Sequence, residues 1–294
     1  MVVELGVYAL IFLPLALMIG IAAGTIGFTA WNIFVPVAFV GLGFNLWDAL
    51  FISVVVDLVD AVFLTVIYSR KGKVDFRQGG LYAVLAVAVA LLAAWFTIGF
   101  LPANTGLLKG GVGYVVMLVA AGFFIRGRKA LKKQKLAQSG NPVVPETNVN
   151  SLAAQYLPGN LPKSRKIFSP KMQVALMVIG VTLSGLVAGL LGMGSGMNFV
   201  LLFIIVLGFD TLRATGTGCF IMAILMGAVG MVFVWLVDLV LLWPYLLIAV
   251  GFSAAGTLLG THYAFKISEV KLNFLVGRIV LIAATVATVQ NFLL

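Results

Sequence analysis

A run of glycines interrupts an apolar stretch in the second half of the chain. It contains, within one short stretch, Gly185, Gly189, Gly192, Gly194 and Gly196. Each glycine costs a helix interior about 1 kcal/mol relative to alanine, so several in succession predict a break in the helix. In hydrocarbon the free backbone groups of a break are tolerated only inside protein or beside a cavity. The run therefore predicts a broken helix at the centre of a membrane protein, where transporters bind substrate.

The first half of the chain repeats this pattern at a constant offset of 165 positions. The matching pairs are Gly20 and Gly185, Ala23 and Ala188, Gly24 and Gly189, Gly27 and Gly192, Gly43-Phe44 and Gly208-Phe209, and Ala49 and Ala214. No gap is needed to align them. The fixed register indicates that the chain consists of two related halves.

Composition excludes a soluble protein. The 294 residues are 62% hydrophobic and 10% charged, with a mean hydropathy of +1.17, whereas a soluble domain carries about 25% charged residues. The net charge of +10 comes from Lys and Arg in loops beside apolar segments, which the positive-inside rule explains without nucleic acid. The single cysteine, Cys219, permits no internal disulfide. The sequence predicts a multi-pass membrane protein surrounded by lipid.

Apolar segments fall into two sets of five, which predicts an all-α fold of about ten transmembrane segments. The first set lies at about 5–26, 30–43, 46–69, 80–99 and 106–125, and the second at about 171–191, 197–208, 214–236, 242–264 and 272–293. The second member of each set is shorter than the 17 to 25 residues that a spanning helix needs. We interpret these two segments as half-helices or thin spans that follow the glycine breaks.

Three units follow from this division of the chain. Residues 1–125 form the first transmembrane repeat, 126–170 a basic linker, and 171–294 the second repeat. The linker is expected on the cytoplasmic side. A solvated positive-inside loop explains its charge, and a site for anionic lipid or a partner protein is the alternative.

Charged loops predict that the halves have opposite orientations. Basic residues at 70–77 follow the third segment of half one, whereas the equivalent loop of half two contains only Asp238. Lys266 and Lys271 occur in the next loop instead. Opposite orientation requires an odd number of crossings per half, so we expect five plus five, with both termini outside the cell membrane. Inverted repeats of this kind are typical of transporters.

Asp57 and Asp60 lie three positions apart in the middle of the third segment, on one helical face. Carboxylates in hydrocarbon are costly unless they are protonated, paired or hydrated. Half two has Met222 and Leu225 at the equivalent positions, so the repeat itself does not require the pair. Two carboxylates that titrate together suit a proton relay or an ion-coupling site. Alternatively, they pair with a basic group such as Arg278 and only hold helices together.

With its two glycine-rich breaks at a constant offset, the chain resembles the TauE/SafE family of membrane permeases, the sulfite exporter family. Its members have a glycine-rich break followed by a proline in each half. Here half two reads Gly192-Met-Gly-Ser-Gly196 with Leu201 in place of the proline, and half one reads Gly27-Phe-Thr-Ala-Trp31 and retains Pro36. A second family feature, a small-residue run in the third segment, is similar to Ala214-Thr-Gly-Thr-Gly218. The resemblance implies secondary transport of a small sulfur oxyanion or sulfonate, such as sulfite or sulfoacetate.

Half-helix N-termini supply unpaired N–H donors to such an anion without a fixed charge. The residues expected to line an anion site near the midplane are Thr29, Asn32, Gly192, Gly194, Ser195, Gly196 and Asn198, assisted by Thr215 and Thr217. Asp57 and Asp60 are expected to couple transport to an ion, for which we predict a proton. In the alternative interpretation the glycines only allow close helix packing, which suits Gly20, Gly24 and Gly27.

The sequence therefore predicts a secondary transporter of small anions that works by alternating access of the two halves. It contains no Walker A sequence and no Ser-His-Asp or H-E-x-x-H arrangement, so neither an ATPase nor another enzyme is expected. We expect no cofactor and no metal site. A cation transporter that uses the intramembrane aspartates is the alternative function, and a purely structural role is less favoured. The oligomeric state is left open, including a homo-oligomer.

Overall fold

The computed structural model describes residues 2–26, 29–100 and 169–264, and these residues form helices without strands. The helices of the first half are α1 (Val2–Ile26), α2 (Trp31–Val35), α3 (Leu46–Arg70) and α4 (Phe76–Phe100). Those of the second half are α5 (Pro170–Leu191), α6 (Gly196–Ile205), α7 (Thr211–Phe233) and α8 (Leu239–Ala264). A π-helix (Pro36–Gly41) continues α2, and a 3-10 turn (Val234–Leu236) continues α7.

Five of the described helices are long and apolar enough to cross a membrane. They lie at Leu46–Arg70, Phe76–Gly99, Pro170–Leu191, Leu212–Leu236 and Leu239–His262. The chain is therefore an all-helical, multi-pass membrane protein, as its composition predicts. The segments predicted at 106–125 and 272–293, and the linker up to residue 168, lie outside the described residues.

Helix boundaries in the two halves follow the offset seen in the sequence. The short helices α2 and α6 begin at Trp31 and Gly196, and α3 and α7 begin at Leu46 and Thr211. Asn45 and Asp210, which are also equivalent, cap α3 and α7 with their side chains. These caps satisfy free N–H groups at the helix start.

The turn before each of these caps is built in the same way. Gly43 and Gly208 have φ values of 72° and 69°, which an L side chain rarely adopts. In both halves the amide of the next residue donates back into the short helix, from Phe44 to the Ala38 carbonyl and from Phe209 to the Phe203 carbonyl, at 3.0 Å. The glycine match at these positions therefore reflects one conserved turn geometry within the chain.

Helices α3 and α7 pack against each other in antiparallel directions. The loop that follows α3 contacts the start of α7, and Asp48 at the start of α3 lies near Asp238 after α7. On either side of this pair, α1 packs against α8 and α4 packs against α5, with the helices of each pair running parallel. The first helix of each half thus packs on the fourth helix of the other half.

Small residues allow the parallel pairs to approach at backbone distance. A Cβ atom at Gly20 of α1 would lie 2.7 Å from the Thr257 amide nitrogen, and one at Gly185 would lie 2.7 Å from the Ala86 carbonyl oxygen. Gly24 and Gly189 repeat these contacts one turn later. Close packing therefore accounts for these glycines, as the alternative interpretation expected; Gly27 lies outside the described residues.

Gly256 tests this packing, because a Cβ atom there would meet the Leu17 carbonyl and lie 3.0 Å from the Ile21 amide nitrogen. Gly251 of the same helix is a matched control, since nothing lies within 4 Å of its Cβ position. We expect Gly256→Ala to reduce stability by about 1–3 kcal/mol, as overpacking does. Thermal unfolding in detergent measures the effect. Equal melting temperatures for the Gly256→Ala and Gly251→Ala variants would contradict the packing.

Two ion pairs join the halves at the end of the molecule that carries the basic loop. Lys73 contacts Asp210 at 3.5 Å, and Arg213 contacts Asp75 at 2.6 Å. The Asp75 amide also donates to the Thr217 hydroxyl at 3.0 Å. We call the two ion pairs the inter-half clasp.

The charge of Asp75 is stabilised within this clasp. Burial raises the pKa of its carboxyl, but hydrogen bonds from the Gln78 amide and the Arg213 guanidinium lower the pKa by more than burial raises it. The net pKa therefore lies below the usual value. Because folding lowers the pKa of Asp75, its charged carboxylate stabilises the folded protein. This contribution to the free energy of unfolding is complete above the pKa of about 3.9 in the unfolded chain and disappears as the pH falls through the pKa in the folded protein.

A double-mutant cycle of Asp75→Asn and Arg213→Gln measures the strength of this pair. Arg213 is about half exposed, with 47% of its side chain accessible, so we expect a coupling of about 1 kcal/mol or less at pH 7. The coupling should vanish at a pH below the folded pKa of Asp75. Additive effects of the two substitutions at pH 7 would show that the pair contributes nothing.

Candidate functional site

Both helix breaks meet at the carboxylate of Asp57, which is wholly buried. From the break between α1 and α2, the Thr29 hydroxyl donates to Asp57 Oδ2 and the Ala30 amide donates to Oδ1 at 2.6 Å. From the break between α5 and α6, the backbone amide of Gly194 hydrogen-bonds to the same carboxylate. We call the meeting point of Thr29, Ala30, Asp57 and Gly194 the crossing. At this point α3 contacts the helix breaks of both halves.

The sequence around Gly194 explains how the second break reaches Asp57. Helix α5 ends at Leu191 and is followed by Gly192, whose left-handed φ of 63° terminates the helix. A Cβ atom at Gly194 would meet Asp57 Oδ2 and lie 2.7 Å from Met222 Cε. Only glycine therefore brings its amide close to the carboxylate. The predicted break lies where the glycine run placed it.

Ser195 holds this break against α5. Its hydroxyl is buried and donates to the Ser184 carbonyl at 2.9 Å, with the Met193 carbonyl at 3.4 Å. Ser195 also precedes α6 without capping it through its side chain. Its hydroxyl proton is thus engaged with the backbone, and a role in binding substrate stays a prediction.

Two side chains that directly follow Ala30 have buried polar atoms without a hydrogen-bond partner among the described residues. They are Nε1 of Trp31 and Oδ1 of Asn32. Trp31 is wholly buried and Asn32 is 3% exposed. Buried polar atoms normally find a partner in protein or water. The start of α2, which directly follows the crossing in sequence, therefore has both a donor and an acceptor without a described partner.

Other predicted residues lie elsewhere. Asn198 is exposed and lines an apolar groove of about 340 Å³ between α5 and α6. Thr217 accepts the hydrogen bond from the Asp75 amide, next to the inter-half clasp. Thr215 is buried in the first turns of α7, and Gly196 begins α6. The crossing thus contains Thr29 and Gly194 together with Asp57, and the part of the others in binding remains untested.

Asp60 is buried like Asp57, but its partners come from other helices. It is 1% exposed, and its Oδ2 accepts a hydrogen bond of 2.6 Å from the Ser253 hydroxyl of α8. The Thr257 hydroxyl lies beside the same carboxylate and also donates to the Gly20 carbonyl of α1 at 3.2 Å. Oδ1 of Asp60 has no hydrogen-bond partner within the described ranges.

Neither aspartate forms an ion pair with a Lys or Arg of the described residues. The alternative that they pair with Arg278 cannot be compared with this geometry, since Arg278 lies outside those residues. Likewise, no group of three or more His, Cys, Asp or Glu that could hold a metal occurs in the described part of the chain. The carboxylates are held there by neutral donors alone.

Sequence reasoning missed Ser253 and Thr257 as partners of Asp60. Together with Thr261 they recur every four residues along α8, and all three are buried. This spacing places them on one face of the helix, and a polar stripe in an apolar segment is a readable signal. The amide of Ala30 was not predictable in this way, because a backbone group leaves no mark in the side-chain pattern.

The crossing has the chemistry of an oxyanion site. Backbone amides and a hydroxyl without fixed positive charge surround two carboxylate oxygens, and the oxygens of a sulfite or sulfonate accept the same kind of hydrogen bond. When the carboxyl is protonated it loses its charge, so the same donors become available to another anion. The geometry therefore links the charge of Asp57 to the availability of these donors.

A family model described as sulfite exporter TauE/SafE matches residues 12–287, nearly the whole chain, including both breaks and α3. No curated protein and no solved structure matches the chain.

Gly194→Ala tests the crossing directly. The added methyl group would displace the Asp57 carboxylate from the donors of the other break, so we expect lower thermal stability, by about 1–3 kcal/mol. Gly227→Ala is the matched control, because a Cβ atom there meets only Leu58 Cδ1, at 3.7 Å. In the Asp57→Ala background the added methyl group should cost much less. Equal losses in both backgrounds would mean that Gly194 does not act through Asp57.

Proposed function

Because the chain belongs to the TauE/SafE sulfite exporter family, a family of membrane transporters, we propose that it moves a small sulfur oxyanion or organosulfonate across the cell membrane. Sulfite and sulfoacetate are the substrates we expect. The observation that carries the proposal is the convergence of the Thr29, Ala30 and Gly194 donors on one buried carboxylate.

Neutral donors suit a transported anion better than a fixed charge. Among the described residues, no Lys or Arg side chain pairs with the carboxylates at this depth. A buried ion pair would hold an anion strongly in a low dielectric, whereas amides and hydroxyls permit both binding and release. The buried Nε1 of Trp31, in the residue that follows Ala30, is one more neutral donor without a partner among the described residues.

Asp57 provides the coupling to protons in this proposal. Its carboxylate uses the donors that the substrate needs, and two anions a few ångströms apart repel each other. Protonation removes the charge and frees the donors, so a proton and the anion bind together. When no substrate is bound, the charged carboxylate of Asp57 accepts from these donors and carries no proton. Protons therefore do not cross the membrane without the anion.

We further propose that the transmembrane region consists of two inverted five-segment repeats that rock to give alternating access. The antiparallel packing of α3 on α7 and the exchange of partners between the halves support this arrangement. The inter-half clasp lies at the end with the basic loop, which the positive-inside rule assigns to the cytoplasm. Rocking of the halves would open the clasp and expose the crossing on that side.

Uptake into proteoliposomes tests the substrate and the coupling. The panel is sulfite, sulfoacetate, sulfate, thiosulfate and acetate, each with and without an inward proton gradient. We expect a sulfur anion to accumulate faster under the gradient, and Asp57→Asn to lose that dependence by about tenfold or more, since a neutral amide cannot exchange a proton. Asp48→Asn, at the start of the same helix, should keep the dependence of the wild type.

Other results would change the assignment. If none of the anions moves and a cation does, the intramembrane aspartates are the substrate site and the chain is a cation transporter, a function that the unpartnered Oδ1 of Asp60 favours. If a sulfur anion moves with equal gradient dependence in Asp57→Asn, transport stands and Asp57 is not the coupling residue.

A further inference from the structure

The two aspartates on α3 have different surroundings. Asp57 has donors from both breaks on its two oxygens, whereas Asp60 has its hydrogen-bond partner on α8, at the contact of α8 with α1. One oxygen of Asp60 accepts from Ser253, and the other, Oδ1, is buried without a partner among the described residues. A carboxylate in this state has an incomplete set of contacts. A small positively charged species would complete it.

The side chains that hydrogen-bond around Asp60 contribute oxygen atoms. Ser253 and Thr257 of α8 contribute hydroxyls, and the Gly20 carbonyl of α1 accepts from Thr257. The side chains of Asp60, Ser253 and Thr257 are at most 1% exposed. Oxygen ligands favour hard cations over soft ones. A single carboxylate balances one positive charge rather than two.

We infer that Asp60, Ser253 and Thr257 form a binding site for a small monovalent cation, separate from the crossing. Carboxylate and hydroxyl oxygens take either a proton or a sodium ion, and the shared chemistry is neutralisation of one buried charge. The inference rests on the proposed function in one respect, because it makes this cation the second coupling ion of the transporter. The binding itself needs no substrate.

The site lies where a bound ion would influence the halves. Asp60 belongs to half one and Ser253 and Thr257 to half two, so the ion draws α3 and α8 together. Within the described part of the chain, the titratable groups that interact with Asp60 are Asp57 on its own helix and the Cys219 thiol on α7. Neither carries a positive charge, so neither replaces the cation.

Binding is measured on the purified full chain in lipid nanodiscs, without substrate. Radioactive sodium binding and the melting temperature are recorded while sodium replaces choline at constant ionic strength, and again across a pH series. We expect either saturable sodium binding with a rise in melting temperature, as linkage requires, or a melting temperature that depends on pH and not on sodium. The first outcome identifies a sodium site and the second a proton site.

Variants decide whether Asp60 is responsible. Asp60→Asn should reduce bound sodium by about tenfold or more, or remove the pH dependence, because the charge that the ion neutralises is gone. Ser253→Ala should weaken binding and keep the fold, and Asp48→Asn should behave like the wild type. A wild-type protein that responds to neither ion, or an Asp60→Asn variant with the wild-type response, overturns the inference.

This experiment separates the new site from the proposed function. If the cation binds at Asp60 and no sulfur anion is transported, the site stands and the substrate assignment fails. If a sulfur anion is transported and Asp60→Asn leaves cation binding unchanged, the substrate assignment stands and the cation site at Asp60 fails.

Discussion

The architecture depends on the burial of one carboxylate at hydrocarbon depth. Desolvation of Asp57 is costly, and the cost is offset by donors that come from two separate breaks in the chain, at Ala30 and Gly194. Each break in turn needs an acceptor for its free amides. The broken helices and the aspartate therefore stabilise each other. This mutual requirement places the candidate site at the point where the two halves meet.

Close helix packing holds the helices of each outer pair together. The small residues on α1 and α8, and those on α5 and α4, bring backbones into direct contact, as in other membrane helices that associate without a hydrophobic driving force. Each outer pair therefore contains one helix from each half, and α3 and α7 lie between the two pairs. The polar groups of the site are thus positioned by rigid helices, and only the turns around the breaks are irregular.

The sequence predicted the class, the helical segments within the described residues and the family, because hydropathy and glycine spacing depend on residue type alone. The offset between the halves predicted equivalent starts for α3 and α7, and the glycine run predicted the break before α6. The predicted starts of α4, α7 and α8 lie three or four residues after the observed starts. The first turns of these helices contain polar residues or follow a capping residue, so the apolar pattern begins later than the helix. Which side chains meet was less predictable: Asn198 and Ser195 are close in sequence, yet one is exposed and the other is buried.

The exchange of partners between the halves also affects how the protein is made. Helix α1 is synthesised before the other described helices, but the helix against which it packs, α8, is the last of them. Until α8 has been made, the glycine face of α1 has only lipid or a helper protein to contact. Half one therefore cannot reach its final packing before α8 is inserted, and assembly of the site is a late event. A chain truncated before α8 would expose this face to the quality-control proteases of the membrane.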